Sequence, residues 1–396
     1  MAFLPPLFFI ALNFISVLGV LDPADFLALQ AIRKSLYDLP GSRFFATWDF
    51  TADPCAFPGV TCRNARVSGL ALGDSGAGAT RLAGHLDAAA LTRLSALSEL
   101  SLVPGRVSGP VPATLPHSLR FLALPRNLLS GPIPSSLSSL PFLQTLDLSS
   151  NLLSGSIPST LPHIRTLSYL SLRHNRLTGP IPSFPPGSLL LRLDLKRNAL
   201  SGPIPSLPSS LHYLSLSNNL LSGRVDKVLP RLTRLNYLDL SSNRLAGPIP
   251  GRVFSFPISS LQLQRNFFSG PVRMAAGIVG IPFVDLSHNR LTGRIPAALA
   301  GSEVLYLNDN RFTGVVPGEF VKAMAGGRLR VLYLQRNYLT GMEGVGPAQG
   351  VPDNATLCLK YNCMLSPAGA KCPRRGGWRK MRPKDQCARW RESESG

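Results

Sequence analysis

Acidic residues are scarce in this sequence, which has 21 Asp and Glu against 41 Lys and Arg and a formal net charge of +20. A balance this basic raises the possibility of nucleic-acid binding. Several catalytic signatures are missing as well: the sequence contains no H-E-x-x-H, no G-x-S-x-G, and none of the kinase motifs V-A-I-K, H-R-D and D-F-G. We therefore expect no enzymatic activity, no kinase and no cofactor in this chain.

Long apolar runs are missing after residue 21, where no stretch approaches the roughly 18 residues needed to span a bilayer. The run at the start, FLPPLFFIALNFISVLGVL over residues 3–21, is followed by Asp22. This pattern predicts a secretory signal peptide over residues 1–20. The alternative is an N-terminal membrane anchor, which Pro5 and Pro6 disfavour. An exported protein is not expected to meet nucleic acid.

Cysteine is absent from the middle of the chain. An even set of cysteines near the two ends indicates disulfides formed in an oxidising compartment. A zinc site is disfavoured because the C-terminal spacings are not C-x2-C and no His lies nearby. The last four cysteines allow three pairings, which the sequence leaves open. The predicted disulfide residues are Cys55, Cys62, Cys358, Cys363, Cys372 and Cys387.

A repeated motif fills the chain between these ends, and Leu235–Pro250, LNYLDLSSNRLAGPIP, is a regular copy of it. Two leucines separated by one residue point to the same face of a strand, so Leu238 and Leu240 are predicted to lie inward and Tyr237, Asp239 and Ser241 to face solvent. The asparagine that follows can pair with backbone groups of adjacent turns. It recurs roughly every 21 to 27 residues, which is the leucine-rich-repeat range, at Asn127, Asn151, Asn175, Asn198, Asn219, Asn243, Asn266, Asn289, Asn310 and Asn337.

Most repeats continue as L-x-G-x-I-P, for example Leu129–Pro134 and Leu177–Pro182. This motif resembles the plant extracellular leucine-rich repeat of receptor-like proteins, receptor-like kinases and polygalacturonase-inhibiting proteins. Residues Trp48–Cys62 resemble the N-terminal cap of the same family, with Phe57 where the family has a second Trp. The resemblance implies an α/β solenoid: a right-handed leucine-rich-repeat superhelix with a parallel β-sheet on the concave face, a 3-10 or irregular convex side, and disulfide caps.

The predicted organisation has five parts: the signal peptide at 1–20, an N-terminal cap at 21–66, about 12 repeats over 67–341, a C-terminal cap at 342–372, and a basic tail at 373–396. A helix is expected over about residues 23–37, because Asp22 and Pro23 form a helix start signal. The tail is expected to be disordered or loosely held by Cys372 and Cys387. Asn354-Ala-Thr356 is a glycosylation sequon.

Solvent-facing positions of the strands should form a recognition surface. Aromatic side chains bordered by Arg and Lys have the composition of an interface, although aromatics could instead shield one another along the sheet. Four aspartates on every second strand, Asp147, Asp194, Asp239 and Asp285, recur too regularly for a catalytic pair. The predicted partner-binding residues are Phe121, Tyr169, Arg173, Arg192, Lys196, Tyr213, Tyr237, Phe283, Tyr306 and Tyr333.

The resemblance favours a secreted plant recognition protein for cell-surface signalling or defence, without its own kinase, located in the apoplast or cell wall. Its expected partner is an extracellular peptide or a receptor-kinase ectodomain. The alternative is a cell-wall protein that binds pectin through its basic groups, or that inhibits a secreted hydrolase such as a polygalacturonase. No metal site and no nucleic-acid partner are expected.

Overall fold

The repeats stack into a solenoid in which each coil contributes one strand to each of two sheets. The structure, a computed structural model, describes residues 21–73, 81–102, 104–274, 280–344, 354–367, 369–372 and 381–392. The predicted signal peptide, the Gly-rich segment 74–80 and half of the predicted tail lie outside these residues. Within them, no helix has the length and apolar character needed to cross a bilayer.

The L-x-L segments form a sheet of fourteen strands, which we call the L-x-L sheet. Its first two strands pair antiparallel and all later neighbours pair parallel, in register from coil to coil. Leu238 and Leu240 are fully buried, as predicted. The strands are Val60–Arg63, Arg66–Leu72, Glu99–Leu102, Phe121–Ala123, Thr145–Asp147, Tyr169–Ser171, Arg192–Asp194, Tyr213–Ser215, Tyr237–Asp239, Ser260–Gln262, Phe283–Asp285, Val304–Tyr306, Val331–Tyr333 and Thr356–Cys358.

A second sheet of thirteen strands, the L-x-G sheet, is built mostly from the L-x-G segments that follow the asparagines. Its first strand, Leu36–Asp38, instead follows the N-terminal helix and pairs antiparallel with Leu82–His85. In most of the other strands the leucine is buried, and the glycine near the end of the strand adopts a positive φ, for example 81° at Gly131. The strands are Leu36–Asp38, Leu82–His85, Arg106–Gly109, Leu128–Pro132, Leu152–Ser156, Arg176–Gly179, Ala199–Pro203, Leu220–Arg224, Arg244–Gly247, Phe267–Pro271, Arg290–Gly293, Arg311–Val316 and Tyr338–Met342.

Short helices complete the coils, mostly as single 3-10 turns after the I-P segment. Four α-helices occur among the described residues, at Pro23–Ser35, Ala88–Arg93, Gly318–Ala325 and Lys384–Glu392. The 3-10 helices are Phe44–Thr47, Pro54–Ala56, Ser135–Ser139, Leu161–His163, Leu229–Arg231, Gly251–Ser255 and Ala297–Gly301.

The repeated asparagines form a hydrogen-bonded ladder between the two sheets. Asn243 is typical: its Oδ1 accepts from the Leu221 backbone N–H of the preceding coil at 3.0 Å, and its Nδ2 donates to the Leu216 and Leu240 carbonyls at 2.9 and 3.1 Å. The same pattern runs from Asn127 to Asn362. This confirms the predicted role of the asparagine, because each amide pairs backbone groups that the turn would otherwise leave buried and unpaired.

The N-terminal cap closes the first coil. Helix Pro23–Ser35 begins at Asp22, whose side chain accepts from the Ala24 N–H at 2.8 Å. The buried Asp25 carboxylate accepts from the Val67 N–H at 2.7 Å and from the Arg66 guanidinium at 2.9 and 3.0 Å, which fixes the helix to the first parallel strand. Cys55 is bonded to Cys62, as expected.

The C-terminal cap holds two disulfides, Cys358–Cys372 and Cys363–Cys387, which select one of the three open pairings. Where the sequence predicted a disordered or loosely held tail, the structure has helix Lys384–Glu392. The segment before it is docked by Arg382, whose Nε donates to the Asn337 carbonyl at 2.9 Å and whose guanidinium lies over the Tyr338 ring at 3.9 Å. That prediction was wrong for these residues because Arg382 packs against the last coils.

Candidate recognition face

The outward side chains of the L-x-L sheet, which we call the L-x-L face, lie in parallel rows that cross the coils. The first row contains Tyr169, Arg192, Tyr213 and Tyr237, and its members are partly exposed. The middle of the next row does not face solvent as predicted, since Ser171, Asp194, Ser215 and Asp239 are at most 7% exposed. In the row beyond it, Ser241 is 5% exposed. Strands about 4.8 Å apart leave little room between neighbouring large side chains, so the short side chains beside the tyrosines are covered.

Four of the predicted residues form one continuous stack. Tyr213 and Tyr237 occupy paired positions on adjacent strands, with ring centroids 4.4 Å apart and planes 5° from parallel. Arg192 lies between Tyr169 and Tyr213, with its guanidinium carbon 5.5 and 3.6 Å from the two ring centroids. The Tyr237 hydroxyl accepts from Gln262 Nε2 at 3.1 Å. Each such cation–π contact stabilises by about 0.5–2 kcal/mol, so the stack is held in place before any ligand arrives.

A buried carboxylate lies beside this stack. Asp194 is 1% exposed; its Oδ1 accepts from the Lys196 backbone N–H at 3.3 Å and its Oδ2 lies 3.9 Å from Arg173 Nε. Burial raises the pKa of Asp194 above its ordinary value, while the Lys196 N–H and the nearby cations oppose that shift. Burial, followed by the negative charge of Asp194, raises the pKa of Tyr213 to about 12. The Tyr213 hydroxyl therefore remains a protonated donor near neutral pH.

Two buried hydroxyls flank Asp194 on the paired strands. Ser171 and Ser215 lie in register with it, and their Oγ atoms have no hydrogen-bond partner among the described residues. The Nε of Arg192 is likewise buried and unpaired. Neither feature was visible in the sequence, which shows only that Ser and Asp alternate along this row.

The other predicted aromatic residues form a second group of three and one isolated position. Phe283 contacts Tyr306 edge to face with centroids 5.9 Å apart, and Tyr306 contacts Tyr333 at 5.0 Å. The strand Ser260–Gln262 separates this group from the stack. Phe121 is exposed and lies opposite Thr145. The predicted self-shielding of aromatics therefore does occur, but the shielded residues remain partly exposed.

The four recurring aspartates serve the turns after their strands. In each case Oδ1 accepts the backbone N–H two residues later, at 2.9 Å from Ser149 to Asp147 and at 3.0 Å from Ser241 to Asp239. Asp194 and Asp285 make the same contact. This is the usual behaviour of Asp at a turn. No group of three potential metal-binding side chains is found in the described part of the chain.

Comparison with known proteins gives matches in both the cap and the repeats. The leucine-rich-repeat N-terminal domain model matches residues 22–63, and the leucine-rich-repeat model matches residues 142–164, 166–187, 234–256 and 283–302. Receptor-like protein 18 of Arabidopsis thaliana is 37% identical over 115 residues, which is 27% of this chain and 14% of that protein.

Two solved plant receptor structures have the same architecture over most of the chain. The PEPR1–AtPEP1 structure matches with a TM-score of 0.68 and 28% identity, covering 87% of this chain and 52% of that one. The plant peptide hormone receptor RGFR1 in complex with RGF2 matches with a TM-score of 0.63 and 27% identity, covering 71% of this chain and 46% of that one. The chain thus spans about half of these receptor structures. The chain has the leucine-rich-repeat architecture and is similar to a plant receptor-like protein and to a plant peptide hormone receptor.

Proposed function

We propose that the chain is a secreted plant recognition protein whose L-x-L face binds an extended peptide or the ectodomain of a receptor kinase. The observation that carries the proposal is the stack of Tyr169, Arg192, Tyr213 and Tyr237, which is rigid and partly exposed. Rigid Tyr and Arg side chains contribute strongly to binding because little side-chain entropy is lost when a partner contacts them. The plant peptide hormone receptor RGFR1 in complex with RGF2 has the same architecture, as does the PEPR1–AtPEP1 structure.

The dimensions of the face suit an extended partner. Phe121 lies on the first and Val331 on the last of ten successive parallel strands. The nine steps between them, at about 4.8 Å each, give a length of about 43 Å. An extended peptide covers about 3.3 Å per residue, so this length corresponds to about 13 residues. The stack and the second aromatic group would then contact different parts of one ligand.

The charges of the face favour a partner with carboxylate or carbonyl groups. Three cations, those of Arg173, Arg192 and Lys196, surround the buried Asp194. Burial raises the pKa of Asp194 and so disfavours the ionised carboxylate that would offset these cations. The faces of the stacked rings are largely occupied by one another and by Arg192. Ligand contact is therefore expected at ring edges and hydroxyl groups, through hydrogen bonds.

Secretion and glycosylation belong to the same proposal. The predicted signal peptide lies outside the described residues. The predicted glycosylation residue, Asn354, is exposed, and the strand Thr356–Cys358 that follows it lies at the end of the L-x-L sheet. A glycan there would lie beyond the last coil and leave the stack uncovered.

A displayed library of random linear peptides provides a test that does not require the natural ligand. Peptides are enriched on the wild-type chain and then measured on two double variants. R192A/Y213A removes a cation–π pair from the L-x-L face, and F267A/R290A removes a comparable pair, 4.6 Å apart, from the L-x-G sheet.

We expect enriched peptides to lose about tenfold to a hundredfold in affinity for R192A/Y213A, because the two truncated side chains at the centre of an interface are together worth about 1.4–2.8 kcal/mol. The F267A/R290A variant should bind like the wild type. Equal binding to both variants, or enrichment of peptides that depend only on the L-x-G pair, would overturn the proposed site. Thermal unfolding of each variant checks that the chain is folded.

A further inference from the structure

A basic strip runs along the corner between the two sheets, at the positions immediately before and after each ladder asparagine. We call these positions, from residue 126 to residue 338, the ladder edge. They carry eight arginines and one carboxylate, Asp309. The arginines are Arg126, Arg176, Arg197, Arg244, Arg265, Arg290, Arg311 and Arg336.

The fold places these side chains on one surface. The residue before each asparagine adopts a left-handed conformation, for example φ 54° at Arg197, and its N–H donates to the next coil, here to the Ser217 carbonyl at 2.8 Å. The residue after each asparagine opens a strand of the L-x-G sheet with its side chain outward, as Arg176 and Arg244 do. From Asn127 to Asn337 there are nine coil steps, or about 43 Å.

Most of this charge is not neutralised within the chain. Arg336 pairs with Asp309 at 3.1 Å, and Arg290 lies over the Phe267 ring. No carboxylate of the described residues forms an ion pair with the exposed side chains of Arg126, Arg176, Arg197, Arg244 and Arg265.

The cations of this region affect the pKa of His174. Its pKa is lowered first by burial and then by the positive charges of Arg197, Lys196, Arg173 and Arg126. This histidine therefore remains neutral in the middle of the basic strip. An anion that binds nearby would reverse the second effect.

Apolar side chains alternate with the arginines along the ladder edge. Leu128, Leu220 and Phe267 occupy positions equivalent to those of Arg176 and Arg244 and are exposed. A binder of small phosphates needs no such apolar surface. A polysaccharide of uronic acids presents both a regular row of carboxylates and the apolar C–H faces of its rings. An acidic peptide fits less well, because the strands beneath are already paired on both sides and leave no free edge for backbone hydrogen bonds.

We propose that the ladder edge is a binding site for a linear polyuronide, separate from the L-x-L face. The carboxylates of the sugar residues would pair with exposed arginines at eight of the ten coils, and the exposed Leu and Phe side chains would contact the sugar rings. The sequence alone assigned pectin binding to the basic groups of the chain as a whole; the structure points to this set of cations.

The probe for the test is polygalacturonate, measured by calorimetry on the full chain at low and at high salt. One triple variant removes three charges from the ladder edge and the other removes three exposed arginines from the segments around two 3-10 helices, so that both change the net charge equally. The variants are R176Q/R244Q/R290Q and R231Q/R234Q/R252Q.

We expect the ladder-edge variant to lose about tenfold in affinity, since three exposed ion pairs each contribute up to about 1 kcal/mol. The other variant should change less than about twofold, and binding should weaken with salt. In the wild type, the pKa of His174 measured by NMR should rise when polygalacturonate binds. Fully methyl-esterified pectin, which lacks the charges, should bind much more weakly.

Three results would overturn the proposal. Equal losses in the two triple variants would mean that only net charge matters. An unchanged His174 pKa would place the ligand elsewhere. Poly-glutamate or DNA binding as tightly as polygalacturonate, with the same dependence on the ladder edge, would remove the assignment to a polysaccharide. The R192A/Y213A variant should keep its polygalacturonate affinity, so a failure of the L-x-L face and a failure of this proposal can be told apart.

Discussion

Replacing Asn243 with Ala tests the part of the structure on which every coil depends. The side chain is 7% exposed and makes four hydrogen bonds, from the Leu221 N–H at 3.0 Å and to the carbonyls of Leu216, Leu240 and Ser241 at 2.9, 3.1 and 3.2 Å. In N243A the Leu221 N–H loses its acceptor, whereas the Leu216 and Leu240 carbonyls lose one of two amide donors and keep those of Asn219 and Asn266. A buried unpaired N–H costs about 1–3 kcal/mol and the weaker pairing of the carbonyls adds about 1 kcal/mol, so we expect a loss of about 2–4 kcal/mol in the free energy of unfolding.

Two companion variants separate the possible causes. Asn236 is an exposed asparagine on the same coil, and N236A should change stability by less than about 0.5 kcal/mol. N243D keeps an acceptor for Leu221 but turns a buried carboxylate toward three carbonyl oxygens, so it should be at least as destabilised as N243A.

The assay combines denaturant unfolding with hydrogen exchange, because a repeat array can open locally rather than all at once. We expect the backbone amides around Leu221 and Leu240 to lose hydrogen-exchange protection in N243A. This expectation would be refuted if N243A and N236A had the same unfolding midpoint and the Leu221 amide kept its protection.

Three further predictions follow from individual contacts. D25A should lower the free energy of unfolding by about 3 kcal/mol, measured by thermal denaturation, because it removes the acceptor of the buried Val67 N–H; a change below about 0.5 kcal/mol would contradict this. C363S/C387S should cost about 3 kcal/mol from the 24-residue separation of the bond and should expose the Arg382 segment to proteolysis; unaltered cleavage would show that the disulfide does not hold it. D194N should gain stability over the wild type as the pH rises, because burial raises the pKa of Asp194 above 3.8 in the folded chain. The folded chain then binds this proton more tightly than the unfolded chain, and stability falls as the group ionises. Melting curves between about pH 3 and pH 7 check this, and a difference between variant and wild type that does not change with pH would refute it.

The L-x-L sheet and the asparagine ladder could be predicted from the sequence because both depend on local spacing. Leucines two apart share a strand face, and an asparagine at a fixed offset marks each turn. The L-x-G sheet was missed because its strands have only one buried leucine and end in Gly and Pro, so they look like turns when seen singly. Only the stacking of coils, as for Leu129 and Leu153, pairs them into a sheet.

The candidate site could be predicted less fully. The row positions of Tyr213 and Tyr237 were predictable from the repeat, but their parallel stacking and the insertion of Arg192 depend on rotamers set by neighbouring coils. The burial of Asp194 and Asp239 was not predictable from alternation, since an outward position is exposed only if its neighbours are small. Arg382 could not be assigned either, because its contacts with Asn337 and Tyr338 join residues about 45 positions apart.

Hydroxyl-radical footprinting of the wild-type chain, with and without an enriched peptide, tests directly whether the L-x-L face binds the ligand. We expect oxidation of Tyr169, Tyr213 and Tyr237 to fall when the peptide binds. Oxidation of Phe267 and Tyr37, which are exposed on the L-x-G sheet, should not change. Unchanged oxidation of the three stacked tyrosines, together with protection of Phe267 or Tyr37, would contradict binding at the L-x-L face.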